Sequence, residues 1–169
     1  MRYDVLLASV RKKGVEIPRT LLAFDPGETT GCCVFKDGKP SEFMQLPSVN
    51  KKTREYEWSI IEEFIDKVNP DAVIIENYRI YAHKLEQHSS SDVPTLQLIG
   101  VIKYMLHKRN IPYKLQMAQQ AKGFVTDAKL KEWGMWDIGH KHARDACRHC
   151  VYYLVSLKPN KLHSKQEVK

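Results

Sequence analysis

"LLAFDPGETTGCCVF", residues 21 to 35, holds two short apolar runs separated by a turn. The first run, Leu21 to Phe24, leads directly into Asp25 and then into a Pro-Gly pair, which is typical of a buried strand that ends in a turn. A buried strand does not require a carboxylate at its end. Asp25 therefore needs an explanation: a partner neutralises its charge, or the carboxylate binds a ligand, or it takes part in a reaction.

Apolar spacing around this stretch predicts an alternation of strands and helices. Gly31 to Phe35 and Ser41 to Leu46 are expected to join the first strand in an antiparallel meander, because Asp37-Gly38 is a strong hairpin-turn signal. Downstream, helices are expected where apolar residues recur with a helical period, and strands in the short apolar runs between them. These are a helix over Thr53 to Val68, a strand over Asp71 to Asn77, a helix over Pro94 to His107, a strand over residues 111–116, one or two short helices within Met117 to Trp133, and a last helix over His140 to Leu157.

The order of these elements, β-β-β-α-β-α-β-α, predicts an α/β fold. A helix separates the third strand from the fourth, so the fourth strand can return beside the first and run parallel to it through a right-handed crossover. Residues 1–20 are expected to form an N-terminal arm or hairpin, and residues 158–169 a basic C-terminal tail. Residues 21–157 are then the folded domain.

The composition fits a globular protein with a basic surface. The 169 residues carry a net charge of +7 with a pI near 9.2, and the length suggests one domain. Seven lysines and arginines lie between Gly100 and Trp133, so nucleic acid is one natural partner, although a solvated basic face explains the charge equally well. No apolar run approaches the ~20 residues that span a bilayer. The N-terminal segment is also a poor signal peptide, so a cytoplasmic protein without a membrane partner is expected.

The four cysteines occur as Cys32-Cys33 and Cys147-x-x-Cys150. Adjacent cysteines rarely pair with each other, so reduced thiols are expected. A structural zinc site needs four ligands, and the first two cysteines fall in a predicted strand. The spacing therefore favours small buried residues over a metal site.

Carboxylates are expected to meet at one edge of the sheet. Asp25 and Glu76 end strands that are predicted to be parallel neighbours, and open α/β sheets bind ligands at that edge. Two such carboxylates repel unless a proton or cation compensates, and Mg²⁺ typically takes one or two carboxylates together with substrate phosphates. Asp145 follows His142 by three residues on the last predicted helix, so both project from one helical face. Metal ligation explains an acid there, and so does an ion pair with a neighbouring cation: Lys141, Arg144 or Arg148.

The segments "FDPGETTG", "VIIEN" and "HARDA" together resemble the three acidic motifs of RuvC-like Holliday junction resolvases, in the ribonuclease H-like nuclease superfamily. The resemblance covers about Leu21 to Leu157, and "VPTLQLIGVIKYMLHKRNIPY" looks most like phage-encoded members. It implies a ribonuclease H-like fold, with a mixed five-stranded sheet in the order 3-2-1-4-5 flanked by helices. It also implies a homodimer, since a C2 dimer supplies the two cuts that a four-way junction needs. The helix that begins near Pro94 would lie at that interface, where Leu98, Ile102 and Met105 serve either the two-fold contact or the monomer core.

The resemblance further implies two-metal hydrolysis of DNA phosphodiester bonds, with two Mg²⁺ ions per active site, ~4 Å apart, for which Mn²⁺ substitutes. Asp25 would bridge the two ions, and Glu76 and Asp145 would each complete one. His142 would be a ligand or would position the attacking water. No organic cofactor is implied. His149, which the motif does not include, is expected to be a packed or surface histidine.

The same resemblance implies which residues contact DNA. Lysines between the last strand and the final helix act on phosphates in the family, which makes Lys122, Lys129 and Lys131 the candidates, with a solubilising role open for each. Bacterial resolvases have an aromatic wedge where this chain has an arginine, so strict junction specificity does not follow. The loop candidates are Tyr78, Arg79, Tyr81 and Lys84, with the two tyrosines either stacking on unpaired bases or covering the sheet edge.

Other functions are also compatible with the residues. A less specific DNase of the same superfamily, or a non-catalytic module that binds branched DNA, would keep the fold and the basic surface. The phosphate loop of the actin and sugar-kinase fold resembles "DPGETTG". That fold needs two such domains and a second phosphate loop, which 169 residues do not supply.

Overall fold

The computed structural model describes residues 1–78, 93–137 and 140–159. Its strands are β1 (Thr20–Asp25), β2 (Thr29–Lys36), β3 (Lys39–Pro47), β4 (Ala72–Asn77) and β5 (Tyr113–Met117). Its helices, within those ranges, are α1 (Tyr3–Lys12), α2 (Trp58–Val68), α3 (Pro94–Lys108), α4 (Ala118–Phe124), α5 (Asp127–Glu132) and α6 (Lys141–Ser156). The predicted order of strands and helices from β1 onward is confirmed.

The five described strands form one mixed sheet in the order β3-β2-β1-β4-β5, as predicted. β1 pairs with β2 in antiparallel fashion, which sets Asp25 opposite Gly31. β4 runs parallel to β1 on its other side, and β5 runs parallel to β4 with Gln116 opposite Glu76. The carboxyl ends of β1 and β4 therefore meet at one edge of the sheet, where Asp25 and Glu76 lie.

Helices cover both faces of the sheet, because successive strand residues point to opposite sides. On one face Leu22 of β1 packs with α2 and α3, and on the other face Leu21 packs with α6. α3 contributes Leu98, Ile102 and Met105 to the first of these layers, and all three are buried. Of the two roles left open for these residues, the structure shows the monomer core.

Residues 3–12 form a helix, which differs from the hairpin or loose arm expected for residues 1–20. Its buried side chains are Leu6, Leu7 and Val10, and its Tyr3 hydroxyl donates a hydrogen bond to the Gly38 carbonyl at 2.6 Å. These contacts attach α1 to the layer that contains α6. The division into residues 21–157 and 158–169 stays a prediction, since residues 160–169 lie outside the described residues.

α2 begins at Trp58 rather than at the predicted Thr53. The residues before it form a loop that an isolated bridge between Val49 and Tyr56 closes. Within this loop the side chain of Asn50 accepts a hydrogen bond from the Thr53 backbone N–H at 3.2 Å. Because the Asn50 side chain gives the Thr53 N–H a hydrogen-bond partner in a non-helical conformation, it competes with helix formation at this point.

The four cysteines are buried, and none forms a disulfide. Three of them, Cys33, Cys147 and Cys150, belong to the apolar layer between the sheet and α6. Over the described ranges, no helix is both long and apolar enough to cross a membrane.

Candidate active site

Helix α6 lies directly against the end of β1 because β2 has a glycine at this point. A Cβ atom added to Gly31 would lie 2.1 Å from the carbonyl carbon of His142, far inside contact distance. Only a residue without a side chain allows the helix to approach this closely. The approach places His142 beside Asp25, and Nδ1 of the ring lies 2.8 Å from Oδ2 of the carboxylate, a hydrogen bond in which the ring nitrogen donates.

Glu76 is held by a histidine of α6 that the sequence did not identify as a site residue. Nε2 of His149 lies 2.8 Å from Oε2 of Glu76, and Nδ1 of the same ring lies 2.9 Å from Oε1 of Gln116 on β5. His149 is fully buried, so of its two expected environments it has the packed one. Its partners lie far along the chain, and no local spacing could have identified them.

Asp145 is buried between two cations. Nζ of Lys122 lies 3.1 Å from Oδ2 of Asp145, and Nε of Arg148 lies 3.2 Å from Oδ1. Arg148 is itself buried and also donates to the Asp127 carboxylate and to the Val125 carbonyl oxygen. Of the explanations left open for Asp145, the ion pair with Arg148 is therefore present, and metal ligation stays a prediction.

The charges of Glu76 and Asp145 act on the carboxyl group of Asp25. Burial raises the pKa of Asp25 to about 6, with further increases from the charges of Glu76 and Asp145 and an opposing effect from the His142 hydrogen bond. Partial burial lowers the pKa of Lys122, but the nearby carboxylates outweigh it, so that pKa lies above its ordinary value. Lys122 is therefore protonated, and the site favours positive charge.

The donor types suit a hard divalent cation. Asp25, Glu76 and Asp145 offer carboxylate oxygens, which Mg²⁺ prefers, and the pKa of Asp25 is raised first by burial and then by the charges of Glu76 and Asp145, an effect that a bound cation would offset. Across the described ranges, no three His, Cys, Asp or Glu side chains are grouped so as to hold a metal ion. The carboxylates are instead engaged by histidines and cations of the chain. Metal binding therefore requires some of these contacts to open.

A cavity of about 490 Å³ lies beside Asp145, bordered by residues of α4, α5 and α6. The cations that line it are Lys122, Lys141, Arg144 and Arg148. The guanidinium of Arg144 lies 4.6 Å from the ring centre of Trp136, which also lines the cavity. Cations around a cavity of this kind can receive a phosphate group.

The three lysines predicted to contact phosphates have different environments. Lys122 lies at the site, whereas Lys129 and Lys131 lie over aromatic rings. Nζ of Lys129 lies 4.1 Å from the ring centre of Phe124, and Nζ of Lys131 lies 4.8 Å from that of Trp136.

The loop predicted to contact DNA is described only at its start. Tyr78 is half-buried and packs against the layer formed by α2 and α3, and its contact with DNA stays a prediction. Arg79, Tyr81 and Lys84 lie outside the described residues.

Comparison with solved structures identifies the fold. The chain is similar to RuvC of Thermus thermophilus in complex with a Holliday junction substrate, with a TM-score of 0.62 and 14% sequence identity over 83% of this chain and 99% of that one. A second T. thermophilus RuvC structure gives a TM-score of 0.55 and 16% identity over the same shares of the two chains. No protein-family model and no curated protein matches the chain. The likeness shows the RuvC-type, ribonuclease H-like fold that the three acidic motifs predicted.

Proposed function

We propose that this protein is a metal-dependent endonuclease that hydrolyses DNA phosphodiester bonds at Holliday junctions or other branched DNA in the cytoplasm. The observation that carries the proposal is the convergence of Asp25, Glu76 and Asp145 where the ends of β1 and β4 meet α6. The similar RuvC structure is a complex with a Holliday junction, which supports junction DNA as the partner. A net charge of +7 also favours a polyanion.

The acids would hold two Mg²⁺ ions, with Asp25 shared between them and Glu76 and Asp145 each completing one; Mn²⁺ would substitute. When bound, the ions would activate the attacking water and stabilise the leaving 3′ oxygen. The oxygen donors support this assignment, and so does the raised pKa of Asp25, which comes from burial and from the nearby charges of Glu76 and Asp145. No organic cofactor is part of the proposal.

Other groups of the chain would orient the water and the DNA. His142 contacts Asp25 through Nδ1 and its side chain is 44% exposed, so it would be available either as a metal ligand or to position the attacking water. Lys122, protonated beside Asp145, would bind a phosphate near the scissile bond, and the basic cavity next to it would receive a neighbouring phosphate. The predicted DNA contacts of the loop after Tyr78 belong to the same proposal.

The protein would act as a homodimer, since two symmetric cuts need two sites. Because Leu98, Ile102 and Met105 of α3 are in the monomer core, we assign the two-fold contact to the outer face of that helix. Leu96 and Tyr104 on this face are 40% and 62% exposed.

Replacing Asp25 by Asn should abolish Mg²⁺-dependent cleavage and leave junction binding intact, because the amide keeps the side-chain shape but removes the charged oxygen ligand. Cleavage is measured on a labelled four-way junction, and binding by fluorescence anisotropy in EDTA. Asp37→Asn is the matched control: Asp37 is exposed in the hairpin turn with a φ of 50°, which asparagine also tolerates. Equal cleavage by Asp25→Asn and the wild type would exclude the catalytic assignment and leave a non-catalytic DNA-binding module.

A second comparison separates a resolvase from a less specific DNase. Wild-type protein is given a four-way junction and a linear duplex of matched sequence at equal concentration. Symmetric paired nicks near the branch point, with little cleavage of the duplex, are expected for a resolvase. Similar rates on both substrates would show a general DNase instead.

A further inference from the structure

His149 is a fully buried histidine that the proposed chemistry does not use. Each of its ring nitrogens has a partner: Nε2 lies 2.8 Å from Oε2 of Glu76, and Nδ1 lies 2.9 Å from Oε1 of Gln116. The ring thus connects an acid of β4 to an amide of β5, and the two partners are opposite each other in the β4–β5 pairing.

The hydrogen-bonding capacity of these groups determines whether Nε2 of His149 donates or accepts a hydrogen bond. With the Gln116 oxygen facing Nδ1 and the carboxylate facing Nε2, both neighbours are acceptors and both ring nitrogens donate. Nε2 of Gln116 is the only buried side-chain nitrogen or oxygen of the described residues that lacks a hydrogen-bond partner. If the amide of Gln116 is rotated by 180°, its nitrogen donates a hydrogen bond to Nδ1 of His149 and no longer lacks a partner. In both arrangements Nε2 of His149 carries a proton and donates to Glu76.

His149 and Arg148 are the buried partners of the acids, whereas two other partners are exposed. The side chains of His142 and Lys122, which contact Asp25 and Asp145, are 44% and 47% exposed and have room to move away when a ligand arrives. The side chain of His149 is 1% exposed and is enclosed by the core. Its contact with Glu76 is therefore fixed, whatever binds at the surface of the site.

We propose that His149 is a positioning residue for the metal site. With its ring held by Gln116, it donates a hydrogen bond to Oε2 of Glu76 and so orients the other carboxylate oxygen toward the cation. Among residues 1–78, 93–137 and 140–159, Oε1 of Glu76 makes no hydrogen bond, which leaves it available as a ligand. This inference rests on the proposed metal-dependent function. Partners that orient a metal ligand in this way typically change metal affinity by 10–100-fold when they are removed.

The test measures Mn²⁺ binding to the full-length protein without DNA, by electron paramagnetic resonance of the free ion. His149→Phe keeps a ring in the core but removes both nitrogens, and should weaken Mn²⁺ binding by about 10–100-fold. His149→Gln offers an amide N–H close to the position of Nε2 and should recover most of the affinity. His107→Phe, on the exposed end of α3, is the control and should bind as the wild type does.

The outcomes separate positioning from a purely structural role. Wild-type affinity in His149→Phe would overturn the proposal. The proposal would also be overturned if His149→Phe and His149→Gln lost the same amount of Mn²⁺ affinity and if these losses followed the two variants' losses of thermal stability. If His149→Phe does not fold, ¹⁵N-histidine spectra of the wild type decide: a Mg²⁺ titration should shift the ring nitrogens of His149 but not those of His107, and an unshifted His149 would overturn the proposal.

Asp25→Asn distinguishes failure of this inference from failure of the proposed function. If the wild type binds Mn²⁺ no better than Asp25→Asn, the metal-dependent function fails, and the positioning role fails with it. If the wild type binds better than Asp25→Asn, and His149→Phe equals the wild type, only the role of His149 is overturned.

Discussion

Gly31 determines how closely α6 approaches Asp25. It stands opposite Asp25 in the pairing of β1 with β2, and its missing side chain leaves room for the backbone of His142. Asp25 and Gly31 are the first and last residues of the short segment "DPGETTG". The motif that supplies the acid therefore also supplies the space for the helix beside it.

Gly31→Ala is expected to lower the free energy of unfolding by about 3 kcal/mol, because overpacking forces the backbone to shift. The added Cβ would lie 2.1–2.6 Å from three atoms of His142, so α6 must move, and cleavage should be lost with it. Urea denaturation measures the stability. Gly123→Ala, in α4 with no atom within 4 Å of the added Cβ, is the control and should gain about 0.4–1 kcal/mol. Wild-type stability of Gly31→Ala would contradict the close approach of helix and strand.

The acids of the candidate site, with His142 and Lys122 beside them, could be predicted from the sequence, whereas the contacts of Glu76 with His149 and of His149 with Gln116 could not. Asp25 and Glu76 each end an apolar run, so each is recognisable within its own segment. His149 acts through Glu76 and Gln116, which are 73 and 33 residues away. The spacing of α6 sets His149 on the same face as His142 and Asp145, but it does not show which distant groups the ring contacts.

At the level of elements, α6 carries a partner for each carboxylate of the site. The pairs are His142 with Asp25, Arg148 with Asp145, and His149 with Glu76. His142, Asp145 and His149 recur at three- and four-residue spacing, so they project from one side of the helix, and Arg148 lies three residues after Asp145, its partner. Arg148 also binds Val125 and Asp127, which attaches the connection between α4 and α5 to the same helix.

Arg148→Met is expected to lower the free energy of unfolding by about 3–5 kcal/mol, since it leaves the buried carboxylate of Asp145 without one of its two cations. Arg148→Lys should recover only part of this loss, because an ammonium cannot reproduce the fork of a guanidinium that serves three acceptors. Arg144→Met is the control: Arg144 is half-buried over Trp136 and should lose about 1 kcal/mol or less. Chemical denaturation of the three variants measures the differences, and equal losses at the two positions would contradict the role assigned to Arg148.

Helix α1 shows why one element could not be predicted locally. A helix of ten residues is marginal by itself in water, so its stability comes from packing. The packing partners are distant: the Tyr3 hydroxyl binds the Gly38 carbonyl, and the N-terminal amino group of Met1 lies 3.0 Å from the Glu132 carboxylate. Short apolar runs of this kind are compatible with a strand until such contacts are known.

In the whole molecule, the candidate site and the assigned dimer face lie on opposite sides of the sheet. α6 covers one face and α3 the other. Leu96, Gly100 and Tyr104 follow one another at four-residue spacing on α3, and all three are exposed. A second copy that docks on this stripe would leave the layer of α6 uncovered, so both sites of a dimer would stay accessible to DNA.

Tyr104→Glu is expected to prevent dimer formation, because it places a charge in a contact that the exposed ring would otherwise fill. The mass of the protein on junction DNA, measured by light scattering in EDTA, should correspond to two copies for the wild type and one for the variant. Paired symmetric nicks should become single nicks, while thermal stability is unchanged, since the side chain is 62% exposed in the monomer. Tyr113→Glu, on the exposed surface of β5, is the matched control and should keep both the dimer and the paired cuts. Two copies of Tyr104→Glu per junction would exclude the α3 face, and one copy of the wild type would exclude the dimer.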